Sequence, residues 1–195
     1  MRLHTASHRW LGHQVDTTGT SRPAELALLL AVAALAALAA LLPATGLPAG
    51  YHDFADQRTL LGLPHALDVL SNLPFAVMGA WGLWWLRRVP LDRLGTAQRG
   101  LAVLFFVGLM ATAFCSSSYH LDPHDAGLCI DRVGMSLAFA GLLGLAAADR
   151  ISARAGVALA ALVAVAAPAT ALVAWLGGNM TPWAVLQGGA LVLLA

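Results

Sequence analysis

The chain has 195 residues, 59% of them hydrophobic and only 11% charged, with a mean hydropathy of +0.74. That balance lies outside the range of soluble domains and describes an integral membrane protein. A net charge of +1, with acidic and basic residues scattered, leaves no basic stripe to track a phosphate backbone, which excludes nucleic acid as a partner.

Residues 1–22 form a polar segment carrying His4, His8 and His13, expected as a cytoplasmic tail. The first apolar run, Ala24 to Leu42, has the length that crosses a hydrocarbon core of roughly 30 Å. It is too long for the hydrophobic region of a signal peptide and is followed by a loop rather than a cleavage pattern, so it is expected as a retained helix. A polar connection, Pro43 to Pro64, leads into a second apolar segment, Ala66 to Leu86, which ends on Arg87 and Arg88. Further spans are expected from Arg99 to Ser118, from Asp131 to Ala148 and from Gly156 to Leu176. The last apolar stretch, Trp183 to Ala195, is about a dozen residues, short of the roughly 20 that cross a bilayer. A span cannot stop in mid-membrane with its last carbonyls uncapped, so the expectation is a truncated copy, a fragment or a half-helix.

The expected fold is therefore all-α: a polytopic transmembrane bundle over residues 23–195, with five full spans, a partial sixth and the N-terminus inside. Orientation follows from the arginines in short loops. Arg2, Arg9 and Arg22, then Arg87, Arg88, Arg93 and Arg99, then Arg150 and Arg154 fall on alternate connections, while the connections between them hold Asp53 and Asp56, Asp122 and Asp125, or no charge at all. Arg58 and Arg132 are the exceptions. Every basic residue among Lys and Arg is arginine, and alanine abounds. Such a composition fits a GC-rich bacterial genome and a place in the bacterial inner membrane. Trp81, Trp84 and Trp85 beside Arg87 and Arg88 read as an inner aromatic belt, with Trp175 and Trp183 at the outer interface. Cys115 and Cys129 match no metal or redox motif and are expected as free thiols at different depths.

Ionisable groups at membrane depth are costly and mark function. Ser116 and His120 are four apart, so a continuing helix puts them on one face. The connection Leu121 to Ile130 is short, so Asp131 at the head of the next span re-enters near the depth where His120 left. A hydroxyl, an imidazole and a carboxylate then converge near the outer surface, the minimal kit for metal-assisted or general-base hydrolysis. Equally, the serines could bond back to the chain, and Asp131 could serve as a helix N-cap. Asp68 and Asn72 share a face by the same spacing, with His65 a turn earlier. Asp53, Asp56 and Asp68 could together offer oxygen ligands to a hard cation such as calcium; solvated loop carboxylates and a helix cap are the other reading.

With these residues in view, the sequence resembles the alkaline ceramidases and their bacterial ceramidase-like relatives, within a superfamily of seven-helix membrane hydrolases that includes the adipoQ-type receptors. The resemblance rests on Tyr51 to Arg58, on Leu67 to Phe75, and on Ser116-x-x-x-His120 followed by Asp131-Arg132. It covers residues 51–195, makes the first span an addition in front of the family core, and implies a core incomplete at its C-terminal end. It implies a zinc-dependent amide hydrolase acting on ceramide-like lipids reached from the bilayer, with its site near the periplasmic face. His120 would be a zinc ligand, Ser116 an oxyanion-stabilising donor, and Asp131 the group that holds or deprotonates the zinc-bound water. Zinc would draw the pKa of that water toward neutrality and polarise the carbonyl. The family's other two zinc ligands, histidines four apart in its last helix, have no counterpart in this sequence. His52, His65 and His124 lie on the same side, but Pro123 spoils a helical His120 and His124 pair. Asp53 and Asp56 match acidic positions of the family's calcium segment and Asp68 falls near another oxygen donor, whereas Arg58 stands where a neutral ligand is expected. The alternative is a non-catalytic or receptor-like membrane protein of the same superfamily.

Overall fold

A computed structural model describes residues 21–90 and 92–194; the histidines of the tail lie outside the described residues. Seven helices follow in chain order: α1 (Ser21–Leu41), α2 (Ala66–Leu70), α3 (Leu73–Leu86), α4 (Thr96–Leu121), α5 (Asp125–Arg150), α6 (Ala153–Gly177) and α7 (Thr181–Leu194). No strand occurs among the described residues. Five segments are long and apolar enough to cross a membrane, with α2 and α3 together making one of them. The chain is an all-helical membrane protein.

Small residues decide how these helices meet. Without a hydrophobic drive between helices inside lipid, close van der Waals approach has to supply the association. A Cβ on Gly108 of α4 would stand 2.6 Å from Ala138 Cα of α5, and one on Gly134 of α5 would stand 2.8 Å from Cys115 Cβ of α4. On the other side of α5, a Cβ on Gly144 would stand 2.8 Å from that of Ala160 in α6. Both flanks of α5 are thus cut back to backbone, and α5 is the most deeply embedded helix. Ala140, Leu143 and Ala147 of α5 join Leu159, Val163, Ala167 and Ala171 of α6 and Trp183 and Ala190 of α7 in one buried cluster.

Polar contacts gather at the two ends of the bundle. At one end Glu25 of α1 accepts hydrogen bonds from Ser152 and Arg154 at the α5–α6 connection, and Arg150 Nη1 donates to Leu194 O of α7 at 2.8 Å. At the other end Thr181 Oγ1 donates to Pro43 O at 2.7 Å, and Met180 N–H donates to Thr45 O at 2.7 Å. Between those ends α1 leaves most of its side chains uncovered. The Ser152 hydroxyl also accepts from Ala155 N–H at 3.1 Å as the N-cap of α6, and Gly178 ends that helix in the left-handed region at φ 66°.

Three sequence expectations shift. The second span is not one helix: it breaks at Ser71 and Asn72, because Pro74 in the first turn of α3 has no N–H to continue the ladder from α2. Ser71 Oγ and Asn72 Nδ2 turn back instead to Asp68 O, at 2.6 and 3.2 Å. The fourth span starts at Asp125 rather than Asp131, with His124 in extended conformation at its N-cap position. Trp183 is not at an interface but buried, its ring 6.4 Å from that of Phe139. Trp81, Trp84 and Trp85 do stand exposed, and Arg88 lies 3.7 Å over the Trp84 ring. Cys115 and Cys129 are free thiols.

Candidate functional site

The longer α5 changes the status of Asp131. It lies in the second turn of α5 and is 9% exposed, so it is no N-cap; Ser116 of α4 is 8% exposed. The Ser116 hydroxyl faces the Asp131 carboxyl, and His120 and Arg132 are close enough for their charges to act on it. The three residues singled out by spacing are therefore together, between the C-terminal half of α4 and the N-terminal half of α5. Two of their polar atoms, His120 Nδ1 and Asp131 Oδ1, are buried without a hydrogen-bond partner among the described residues. Native proteins rarely leave such atoms orphaned, and those that remain call for a ligand, an ion or a water.

The loop over residues 43–65 covers this cluster with aromatic rings that no periodicity signals. Phe54 packs on His120 with ring centroids 4.7 Å apart, and meets His65 and Tyr119 edge-on at 5.4 and 5.5 Å. His52 fastens the loop down. Its Nε2–H donates to Asp125 Oδ1 at 2.9 Å, which leaves Nδ1 to accept the Tyr119 hydroxyl at 2.8 Å. Tyr119, on the helix face next to His120, is itself buried. With both ring nitrogens engaged, His52 has none left for a metal. The Nδ1 atoms of the other two histidines donate to backbone carbonyls, His65 to Asp56 O at 2.8 Å and His124 to Asp122 O at 2.6 Å.

Asp56 has a structural task. Its Oδ2 accepts the Leu67 N–H at 2.7 Å, so a carboxylate eleven residues away caps the first turn of α2, and its Oδ1 lies 3.3 Å from Arg58 Nε. The carboxylate also sits favourably at the positive end of the helix. Asp56→Ala is expected to cost about 1–2 kcal/mol and to speed hydrogen exchange at the Leu67 amide. Unchanged exchange there would show that the cap is unimportant. Asp53 is exposed at the Gly50 turn, and Asp68 is half-buried at the α2–α3 break.

A catalytic zinc normally takes three protein ligands. His120 and Asp131 offer two unsatisfied donors of the right kind, but among the described residues no three His, Cys, Asp or Glu side chains are grouped so as to hold a metal ion. The described residues alone do not complete the zinc centre that the resemblance implies, nor do Asp53, Asp56 and Asp68 form a cage for calcium. Comparison of the chain with protein-family models, curated proteins and solved structures finds no match.

Proposed function

We propose that the protein is a lipid-amide hydrolase of the ceramidase type, cleaving the N-acyl bond of ceramide or a similar lipid at the outer, periplasmic face of a bacterial inner membrane. What carries the reading is the buried meeting of Ser116, His120 and Asp131, with two polar atoms left unpaired. A bundle without chemistry gains nothing from that arrangement, since burying unpaired polar groups costs stability.

The chain's own groups have distinct tasks in such a reaction. Asp131 takes the proton of the attacking water as the C–O bond forms and returns it to the amine as the C–N bond breaks, leaving a fatty acid and a free amine. Ser116 donates its hydroxyl hydrogen to the carbonyl oxygen as charge grows there. Phe54 closes the cluster from the aqueous side, which strengthens both interactions. A zinc ion, when bound with His120 among its ligands, would supply Lewis acidity. An outer position for the site is supported by Arg87, Arg88, Arg93, Arg150 and Arg154, which lie at the opposite end of the bundle, although Arg58 lies at the site's own end.

The test is hydrolysis of a fluorescent N-acyl sphingosine by the full chain in lipid vesicles, with and without added zinc, beside metal analysis of the purified protein. Fatty-acid release, with zinc content falling in His120→Ala, is the expected result. No hydrolysis under either condition would favour a non-catalytic, receptor-like membrane protein.

A further inference from the structure

One charged group has no part in that chemistry. Arg132 follows Asp131 in α5 but points to the other flank, toward α6 and α7, and is 4% exposed. The only hydrogen bond of its side chain among the described residues runs from Nη1 to the thioether of Met180 at 3.0 Å, and its guanidinium stands 5.5 Å from the Trp183 ring. No carboxylate lies within ion-pair distance of it among the described residues. A buried cation usually has an anionic partner, because taking it out of water costs several kcal/mol. An ionisable residue in a membrane span with no such partner is a functional site by default.

Arg132 forms part of the wall of a cavity of about 230 Å³ at the outer end of the bundle, between α5, α6 and the connections at Gly46 and Gly178. Its other walls include Leu128, Cys129, Ala171 and Trp175. The one acidic side chain on the rim, Asp125, is already held by His52 Nε2 at 2.9 Å. The space far exceeds that of a single water.

We propose that this cavity is an oxyanion site, with Arg132 as the paired cation for a phosphate group carried by a lipid headgroup or free in solution. A guanidinium matches phosphate with paired N–H donors, and the apolar side chains of Leu128, Ala171 and Trp175 in the wall strengthen the pairing. The site stands apart from the Ser116, His120 and Asp131 cluster and does not depend on its being catalytic.

The test is thermal unfolding of the full chain in nanodiscs. Discs of phosphatidylglycerol, or discs of phosphatidylcholine with added inorganic phosphate, are expected to raise the wild-type melting temperature by roughly 5 °C over phosphatidylcholine alone. A shift with both anions identifies phosphate as such, and a shift with phosphatidylglycerol alone identifies the headgroup. Arg132→Gln should lose the shift and Arg132→Lys should keep part of it, while Arg87→Gln with Arg88→Gln, at the opposite end, should keep all of it. If neither anion stabilises the wild type, or if Arg132→Gln responds as the wild type does, the proposal fails. Should Arg132→Gln not fold, wild-type tryptophan emission decides: Trp175 lines the cavity, so a saturable change that Trp175→Phe abolishes supports the site, and no change overturns it. Hydrolysis measured in the same discs reports separately on the reaction.

Discussion

Asp131→Asn is expected to lower amide hydrolysis roughly a thousandfold while leaving the protein as stable as the wild type or more so. Its carboxyl is buried, with Oδ1 unpartnered among the described residues, so the folded state bears the cost of that oxygen without a compensating bond. The amide has nearly the same shape but takes no proton. Residues held for chemistry rather than for folding show this opposition, since active sites are where stability is given up. Melting temperature and turnover measured on one preparation separate the two effects. A large drop in melting temperature would make Asp131 a structural residue, and unchanged turnover would remove it from the reaction. Ser116→Ala should fall between the two, with a smaller loss of rate, because it removes one donor to the carbonyl oxygen and leaves the proton acceptor in place.

Gly108→Val should be the most damaging single change to the fold, at about 3 kcal/mol or more. The added side chain would meet the backbone of Ala138 and Leu137 in α5, and backbone cannot move aside as the end of a flexible side chain can. α4 and α5 would have to separate, and with them Ser116 and Asp131, so activity should fall along with stability. Gly100→Val is the matched control on the same helix, where a Cβ meets nothing within 4 Å; it is expected to be close to neutral. Equal melting temperatures for the two variants would show that the α4–α5 contact does not depend on a bare backbone at Gly108.

Hydrophobic length made the spans readable from sequence, because each segment has to cross the same apolar thickness. Their ends were less readable. α5 gains its first turn from Asp125 onward because chain direction resets at Pro123 and His124, and those residues carry no hydrophobic signal. The α2–α3 break sits within an apolar run, where only Pro74 betrays it. Four-residue spacing was enough to bring Ser116 to His120, and a short connection enough to bring Asp131 beside them, since both are local geometry. The aromatic cover of Phe54, His52 and Tyr119 depends on a loop of 43–65 folding back over the helix ends, and no period in the sequence encodes that. Trp183 shows the limit of reading interfaces from residue type: a tryptophan near a helix end is equally suited to a belt and to a core, and α7 turns this one inward. Arg132 was visible only as a break in the charge pattern, and its cavity gives the break a physical setting.

The first helix has a consequence for the membrane itself. α1 is fastened at both ends by polar contacts, through Glu25 to Ser152 and Arg154 and through the Thr45 region to Met180 and Thr181, and its apolar stretch from Arg22 to Leu41 is 20 residues long. At 1.5 Å per residue that length is about 30 Å. A helix pinned at both ends cannot tilt or slide on its own to match a thinner or thicker bilayer, so the clasps set the hydrophobic height of the bundle. The lipid has to adjust to the protein, and a bilayer of mismatched thickness would strain first at the Glu25 and Thr181 clasps.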